Sequence, residues 1–232
     1  MNIVEISPHL FTFSSWINKP VKAYFTDRVY DFSCDYSEQL KELLTLGPTD
    51  KLFVFPKQTH GSNINFVSSK NAGELFECDG LLTKELGLAV GIRTADCVPV
   101  FVFSPGNNIC GVIHAGWRSV CAGIIECLIG CLKEQTSDLR SLSVAVGPCI
   151  RECCFEVKDD TACFFEKSLI KKDGKVFVDL VADIKKRFIK AGVDLSQIDD
   201  AGICTACKSD TFFSYRRLKD SGRMVSLIFM PG

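Results

Sequence analysis

Two periods organise the apolar positions of this chain. Leu52–Phe55 and Ile64–Val67 read as short strands on either side of a polar loop, Pro56–Asn63. Leu88–Ile92, Val98–Phe103 and Ile109–Ile113 are apolar, β-branched runs of strand length. From Trp117 to Glu134 the period lengthens, with Ile124, Ile125, Leu128, Ile129 and Leu132 on one helical face. Val178 to Ala191 predicts a second helix, its apolar face made by Leu180, Val181, Ile184, Phe188 and Ile189 and its stop by Gly192. Val144–Val146, Phe212–Tyr215 and Met224–Phe229 read as further strands. The strands come as neighbouring hairpins, without strict βαβ alternation. The pattern therefore predicts an α+β fold, a single domain over 1–232 with a mixed β-sheet and flanking helices in layers.

Composition narrows the partners. With 27 Lys and Arg against 28 Asp and Glu, the net charge is −1. No basic field gathers nucleic acid or an anionic membrane, so neither is expected as a partner. The longest apolar stretch, Leu86 to Phe103, contains Arg93 and Asp96, which argues against a membrane span. The first residues lack the charged and apolar segments of a signal peptide, and the cysteine count, thirteen, is odd. The expectation is a cytoplasmic chain with reduced thiols. Most of those thiols, Cys110, Cys121, Cys127 and Cys131 among them, are expected to pack as small hydrophobes.

Histidine is scarce: His9, His60 and His114 are the whole supply. Two apolar runs flank Ser104-Pro105-Gly106-Asn107, a turn signal. A hairpin centred there pairs residues whose numbers sum to about 211, which sets Cys97 opposite His114. Such a pair suits a shared metal, a Cys–His nucleophile, or a plain buried thiol beside a satisfied core imidazole. His60, in a polar loop, would extend it to a His₂Cys set, three ligands with an open fourth position as in catalytic zinc sites. Arg118, in the sequence Ala115-Gly116-Trp117-Arg118 that opens the helix, suits an anion such as phosphate, or else lies over Trp117. Cys204-Thr-Ala-Cys207 is a CxxC without a second CxxC, and is expected to be neither a redox pair nor a zinc site. Cys149 and Cys153 are spaced by three residues, and no H-x-E accompanies them, which excludes a cytidine-deaminase site.

The motifs Gln58-Thr-His-Gly61, Asp79-Gly-Leu-Leu-Thr83, Thr94-Ala-Asp-Cys-Val-Pro99, His114-Ala-Gly-Trp-Arg118, Gly147-Pro-Cys-Ile150, Glu156-Val157, Cys204-Thr205 and Phe212-Phe-Ser-Tyr-Arg-Arg217 occur in this order, followed by Gly222-Arg223. In these the chain resembles the laccase-domain (multicopper polyphenol oxidase) family, described as purine nucleoside phosphorylases with adenosine deaminase activity. The resemblance covers about Leu52 to Phe229, and residues 1–50 diverge from the family's N-terminal pattern. It implies a zinc enzyme with His60, Cys97 and His114 as ligands. Its substrates would be a purine nucleoside (adenosine, inosine or methylthioadenosine) and phosphate, and it would be a monomer or homodimer. Cys97, Asp96 and Arg118 are the candidate catalytic residues. Asp96 would transfer a proton or orient an imidazole, and Arg118 would hold phosphate. Three histidines cannot build a multicopper centre, so copper is at most a single ion at the His₂Cys site. Two alternatives stand beside this. One is a metal-free cysteine hydrolase using Cys97 and His114, of the kind linked to peptidoglycan-precursor editing. The other is a non-catalytic zinc- or nucleotide-binding protein.

Overall fold

The computed structural model describes residues 3–33, 52–71, 74, 76–135, 138–219 and 222–232, and one strand in it explains the layering. Every residue of Val98–Ser104 is buried. Val98, Val100 and Val102 pack in one cluster with Ile124, Leu128, Ile184 and Phe188 from helices. Phe101 and Phe103 pack in another, with Phe13, Phe25, Val90 and Ile92. Successive side chains of a strand leave opposite faces. This strand thus has helices on one side and a second sheet on the other, so its sequence is apolar from Val98 to Phe103 instead of alternating.

The described strands are β1 (Ile3–Ser7), β2 (Leu10–Phe13), β3 (Lys22–Thr26), β4 (Leu52–Val54), β5 (Ile64–Phe66), β6 (Gly80–Thr83), β7 (Leu88–Thr94) and β8 (Val98–Ser104). After them come β9 (Ile109–Ala115), β10 (Ser143–Val146), β11 (Glu156–Val157), β12 (Leu169–Lys172), β13 (Lys175–Val178), β14 (Ile198–Asp200) and β15 (Met224–Phe229). They form a six-stranded sheet in the order β1-β2-β3-β15-β7-β4, a second in the order β14-β10-β8-β9-β6-β5, and a small sheet β11-β13-β12. Both large sheets are mixed: β4 runs parallel to β7, β5 to β6 and β10 to β14. The class is α+β, but the single sheet expected from the pattern is two facing sheets. The chain passes from the first to the second between β4 and β5, and again between β7 and β8. Of the divergent N-terminal segment, residues 34–50 lie outside the described residues, whereas the strands β1 to β3 are part of the first sheet.

Four local expectations are corrected. The β8–β9 hairpin pairs Pro99 with His114 and Val98 with Ala115, so partner numbers sum to 213, and Cys97 stands diagonal to His114. The cause is the turn: a 3₁₀ turn at Pro105–Asn107 is followed by Asn108 at φ 48°, which lengthens the loop to four residues. The helix expected over Trp117 to Glu134 is two, α1 (Trp117–Cys121) and α2 (Ile124–Lys133), broken where Gly123 takes φ 88°. Cys127 is exposed on the outer face of α2, although Cys110 is buried as expected. Phe212–Tyr215 is no strand; Phe212 N–H donates to the Lys208 carbonyl at 2.8 Å, and its ring is buried. The aromatic residues there serve burial at Phe212 and the cleft wall at Tyr215, which is exposed, and not ladder pairing. The remaining α-helices among the described residues are α3 (Asp159–Ala162) and α4 (Leu180–Lys190), the latter capped by the Asp179 carboxylate, which accepts from Ala182 N–H at 2.8 Å. No helix among the described residues is long and apolar enough to cross a membrane.

The centre of the second sheet tolerates no side chain at Gly111. A Cβ there would lie 2.3 Å from Leu82 Cδ2 and 2.5 Å from the Leu81 carbonyl oxygen. Gly111→Ala is expected to cost about 1–3 kcal/mol of stability, read as a lowered midpoint in urea denaturation with an unchanged slope.

Candidate functional site

Asp79 directly precedes the fully buried strand β6, and its side chain has no solvent exposure. A carboxylate placed there must be satisfied by the protein. Its Oδ2 accepts from Thr59 N–H (3.1 Å), Thr59 Oγ1 (3.0 Å) and Gly61 N–H (2.7 Å). Its Oδ1 accepts from His60 N–H at 3.0 Å and faces His114 Nδ1 at 2.8 Å. The Asp79 carbonyl also accepts from His114 N–H at 2.7 Å. One acid therefore fixes the β4–β5 loop and the end of β9 together. Gln58 adds a second clamp: its amide donates to the Arg93 carbonyl and accepts from Arg93 N–H, at 2.8 and 2.9 Å.

That clamp sets His60, itself exposed, against His114. His60 takes φ 60°, a left-handed conformation that costs a non-glycine residue energy and persists where surroundings impose it. The His60 and His114 rings meet edge to face, centroids 4.8 Å apart. Cys97 completes the group: the ligand atoms of His60, Cys97 and His114 lie within 4.8 Å of one another. Gly116 is what lets the chain pass, since a Cβ on it would sit 2.9 Å from Cys97 Sγ.

The electrostatics follow from the contacts. Burial alone would raise the Cys97 thiol. The charge on the His114 imidazole and hydrogen bonds from His114 and His60 outweigh it, bringing the thiol down to about 6. Burial opposes a charged His114, yet the Cys97 thiolate and Asp79 lift it to about 9. Asp79 would also be raised by burial, but the His114 and Gly61 hydrogen bonds draw it down to about 2. A thiolate and two imidazoles are borderline-soft donors of the type zinc prefers, and Asp79 on Nδ1 leaves the Nε2 of His114 as the ligating atom.

The group opens on a cleft of about 860 Å³. Lys57, Arg93, Arg118, Arg216, Lys219 and Arg223 line it together with the aromatic rings of Trp117, Phe155 and Tyr215. Cations for an anion and rings for a flat base thus face one space. The Arg118 guanidinium lies 4.5 Å from the centre of the Trp117 ring. Stacking uses the guanidinium's face, whereas its N–H donors lie in its plane. Asp96, at φ 83°, is held on both oxygens: Oδ1 accepts from Thr205 Oγ1 and Oδ2 from Arg216 N–H, each at 2.6 Å. The imidazole of His114 is oriented by Asp79 and not by Asp96.

In the sequence, Asp79 and Thr205 stand out only as members of family motifs, with no role at the site assigned to either. The signal for Asp79 was an acid opening a strand with no polar face. The premise of the CxxC expectation, that no second thiol pair is at hand, needs correction. The thiols of Cys204 and Cys207 cluster with those of Cys153 and Cys154, all four within 4.8 Å, so the missing second pair comes from a distant segment.

A family model described as multi-copper polyphenol oxidoreductase laccase matches residues 32–231. A purine nucleoside phosphorylase of Clostridium acetobutylicum is 34% identical over 178 residues, 74% of this chain and 74% of that protein. An adenosine deaminase from an unknown prokaryotic organism is 30% identical over 194 residues, 76% of this chain and 74% of its own length. The crystal structure of YlmD from Geobacillus stearothermophilus superposes with a TM-score of 0.89 at 23% identity, covering 100% of this chain and 99% of that one.

Removing the buried acid should be costly whatever ligand the site holds. Asp79→Ala strands the His114 imidazole and three loop N–H groups, and is expected to lower stability by about 3–5 kcal/mol. Chemical denaturation measures it.

Proposed function

The chain belongs to the multi-copper polyphenol oxidoreductase laccase family, and within it we propose a zinc-dependent enzyme of purine nucleosides. It would carry out phosphorolysis of adenosine, inosine or methylthioadenosine, and deamination of adenosine. The observation that carries this reading is the convergence of His60, Cys97 and His114 at a cleft lined by both cations and aromatic rings. The names of the relatives support the substrate class. Multicopper oxidation fits the residues poorly. Of three histidines, His9 faces Asp27 at 2.8 Å, and the two left at the site do not furnish the imidazoles of a trinuclear cluster.

Zinc, when bound by His60, Cys97 and His114, supplies Lewis-acid polarisation of water or of a substrate oxygen. The rest of the chemistry falls to the chain. Trp117, Phe155 and Tyr215 offer faces against which a purine can stack. In phosphorolysis a phosphate oxygen bonds to C1′ of the ribose as the C1′–N9 bond breaks and the purine leaves. Arg118 would hold that phosphate through its in-plane donors. In deamination a water oxygen replaces the amine at C6, and a proton must reach the departing ammonia. Asp96 would carry it, its carboxylate kept in place by Thr205 and Arg216. A cytoplasmic setting and a monomeric or homodimeric state accompany this reading.

A second reading draws on one specific observation. Cys97, His114 and Asp79 form a thiol, an imidazole and an orienting carboxylate, the arrangement of a cysteine hydrolase. Chelation separates the two. Adenosine turnover that vanishes with a zinc chelator and returns with zinc supports the metal enzyme. Turnover that survives chelation and is lost on thiol alkylation supports the hydrolase.

Arg118→Ala should weaken phosphorolysis more than deamination, since only phosphorolysis uses an anionic nucleophile. Loss of a charge-assisted hydrogen bond, about 1.5–3 kcal/mol, corresponds to roughly 10- to 150-fold in rate. Parallel kcat/KM assays with and without phosphate check it, and equal losses would make Arg118 a general substrate contact. Asp96→Asn should lower deamination by roughly 10²- to 10⁴-fold with the metal content of the site unchanged.

A further inference from the structure

Four cysteines outside the cleft meet in one place. Cys153 and Cys154 stand in the turn that follows Ile150, where Cys154 N–H donates to the Arg151 carbonyl at 2.9 Å. Cys204 and Cys207 stand in the turns that follow β14. Cys207 Sγ lies 3.5 Å from Cys153 Sγ and 3.4 Å from Cys154 Sγ, and all four sulfurs fall within 4.8 Å. A disulfide needs about 2.05 Å between sulfurs. Tetrahedral zinc–thiolate bonds of about 2.3 Å set neighbouring sulfurs about 3.8 Å apart. The observed separations bracket the edge of that tetrahedron. Thiols are weak hydrogen-bond partners, and four of them gain little from one another without an ion between them.

Hydrogen-bond donors and a guanidinium face part of the cluster. Backbone N–H groups of Arg151 and Cys207 face Cys204 Sγ. The Arg217 guanidinium approaches Cys154 Sγ at 4.0 Å while its Nε donates to the Ala206 carbonyl at 2.8 Å. The two segments are already aligned by a β-bridge between Cys149 and Cys204, with Thr205 N–H donating to the Cys149 carbonyl at 3.0 Å.

We propose that Cys153, Cys154, Cys204 and Cys207 form a second metal site, a closed tetrathiolate that binds one zinc ion. Four protein ligands leave no open position, which makes the site structural. It staples the 150–155 turn to the 204–207 turn. Those turns carry the cleft residues Ile150 and Phe155 and the Thr205 hydroxyl that holds Asp96. The ion thus stiffens one wall of the cleft without touching its contents.

Metal analysis of protein purified under reducing conditions from zinc-supplemented medium tests it. The expected contents are two zinc ions per chain in the wild type, one in Cys97→Ser, and none in Cys97→Ser combined with Cys207→Ser. Cobalt provides a readout that needs no altered residue in the cluster. Cobalt-loaded Cys97→Ser should show the intense sulfur-to-cobalt charge transfer and visible bands of four-thiolate ligation. The proposal is overturned by a Cys97→Ser chain that takes up neither metal, by zinc that persists when Cys97→Ser and Cys207→Ser are combined, by iron in place of zinc, or by a disulfide joining Cys207 to Cys153 or Cys154. The cleft reading fails differently: zinc would then be unaffected by Cys97→Ser and lost with Cys207→Ser.

Discussion

A buried carboxylate is the constraint on which this site depends. Asp79 has no solvent exposure and accepts from three consecutive backbone N–H groups of the Thr59–Gly61 loop and from the Thr59 hydroxyl, while facing the His114 imidazole. A charge in that position is tolerated only because every partner is present. The consequence runs in both directions. The loop cannot relax from the left-handed turn at His60 without exposing N–H groups to an unpaired acid, and the acid cannot stay ionised without the loop. The ring tautomer and direction of His114 follow from the same contact. Two imidazoles, one in the β4–β5 loop and one on β9, are thereby fixed relative to each other before any ligand arrives.

The two-sheet architecture explains why these residues meet. The chain crosses from one sheet to the other through the loop that carries His60 and again through the segment Ala95–Cys97, between β7 and β8. Crossings occur at sheet ends, where backbone is free of the ladder and can adopt conformations such as those of His60 and Asp96, both at positive φ. β9 brings His114 to the same end from within the second sheet. The helices pack against that sheet's outer face and leave this end open as a cleft.

Much of this was legible in the sequence, for reasons that differ by level. Strand β8 and its neighbours announced themselves because both faces are buried, and the unbroken apolar run Val98–Phe103 admits few other readings. The scarcity of histidine drew attention to His60 and His114 independently of any fold. The exact register was not legible, because Asn108 adopts a left-handed conformation that adds two residues to the turn. The break between α1 and α2 was written in Gly123 but masked by continuous helical periodicity on either side. Asp79 was hidden by being polar at the edge of an apolar strand, with its partners 18 to 35 residues away in sequence. The four-thiol cluster was hidden in the same way: each cysteine pair looks incomplete alone, and only the bridge between Cys149 and Cys204 brings the pairs together.

The central claim is that His60, Cys97 and His114 form one zinc centre, its geometry set by Asp79. Anomalous diffraction recorded on either side of the zinc absorption edge, from crystals grown with zinc, tests this most directly. The account predicts an anomalous peak at bonding distance from the Cys97 sulfur, the Nε2 atom of His114 and a ring nitrogen of His60, with Asp79 still on Nδ1 of His114. A map with no peak among these three side chains, at full zinc saturation, would contradict it.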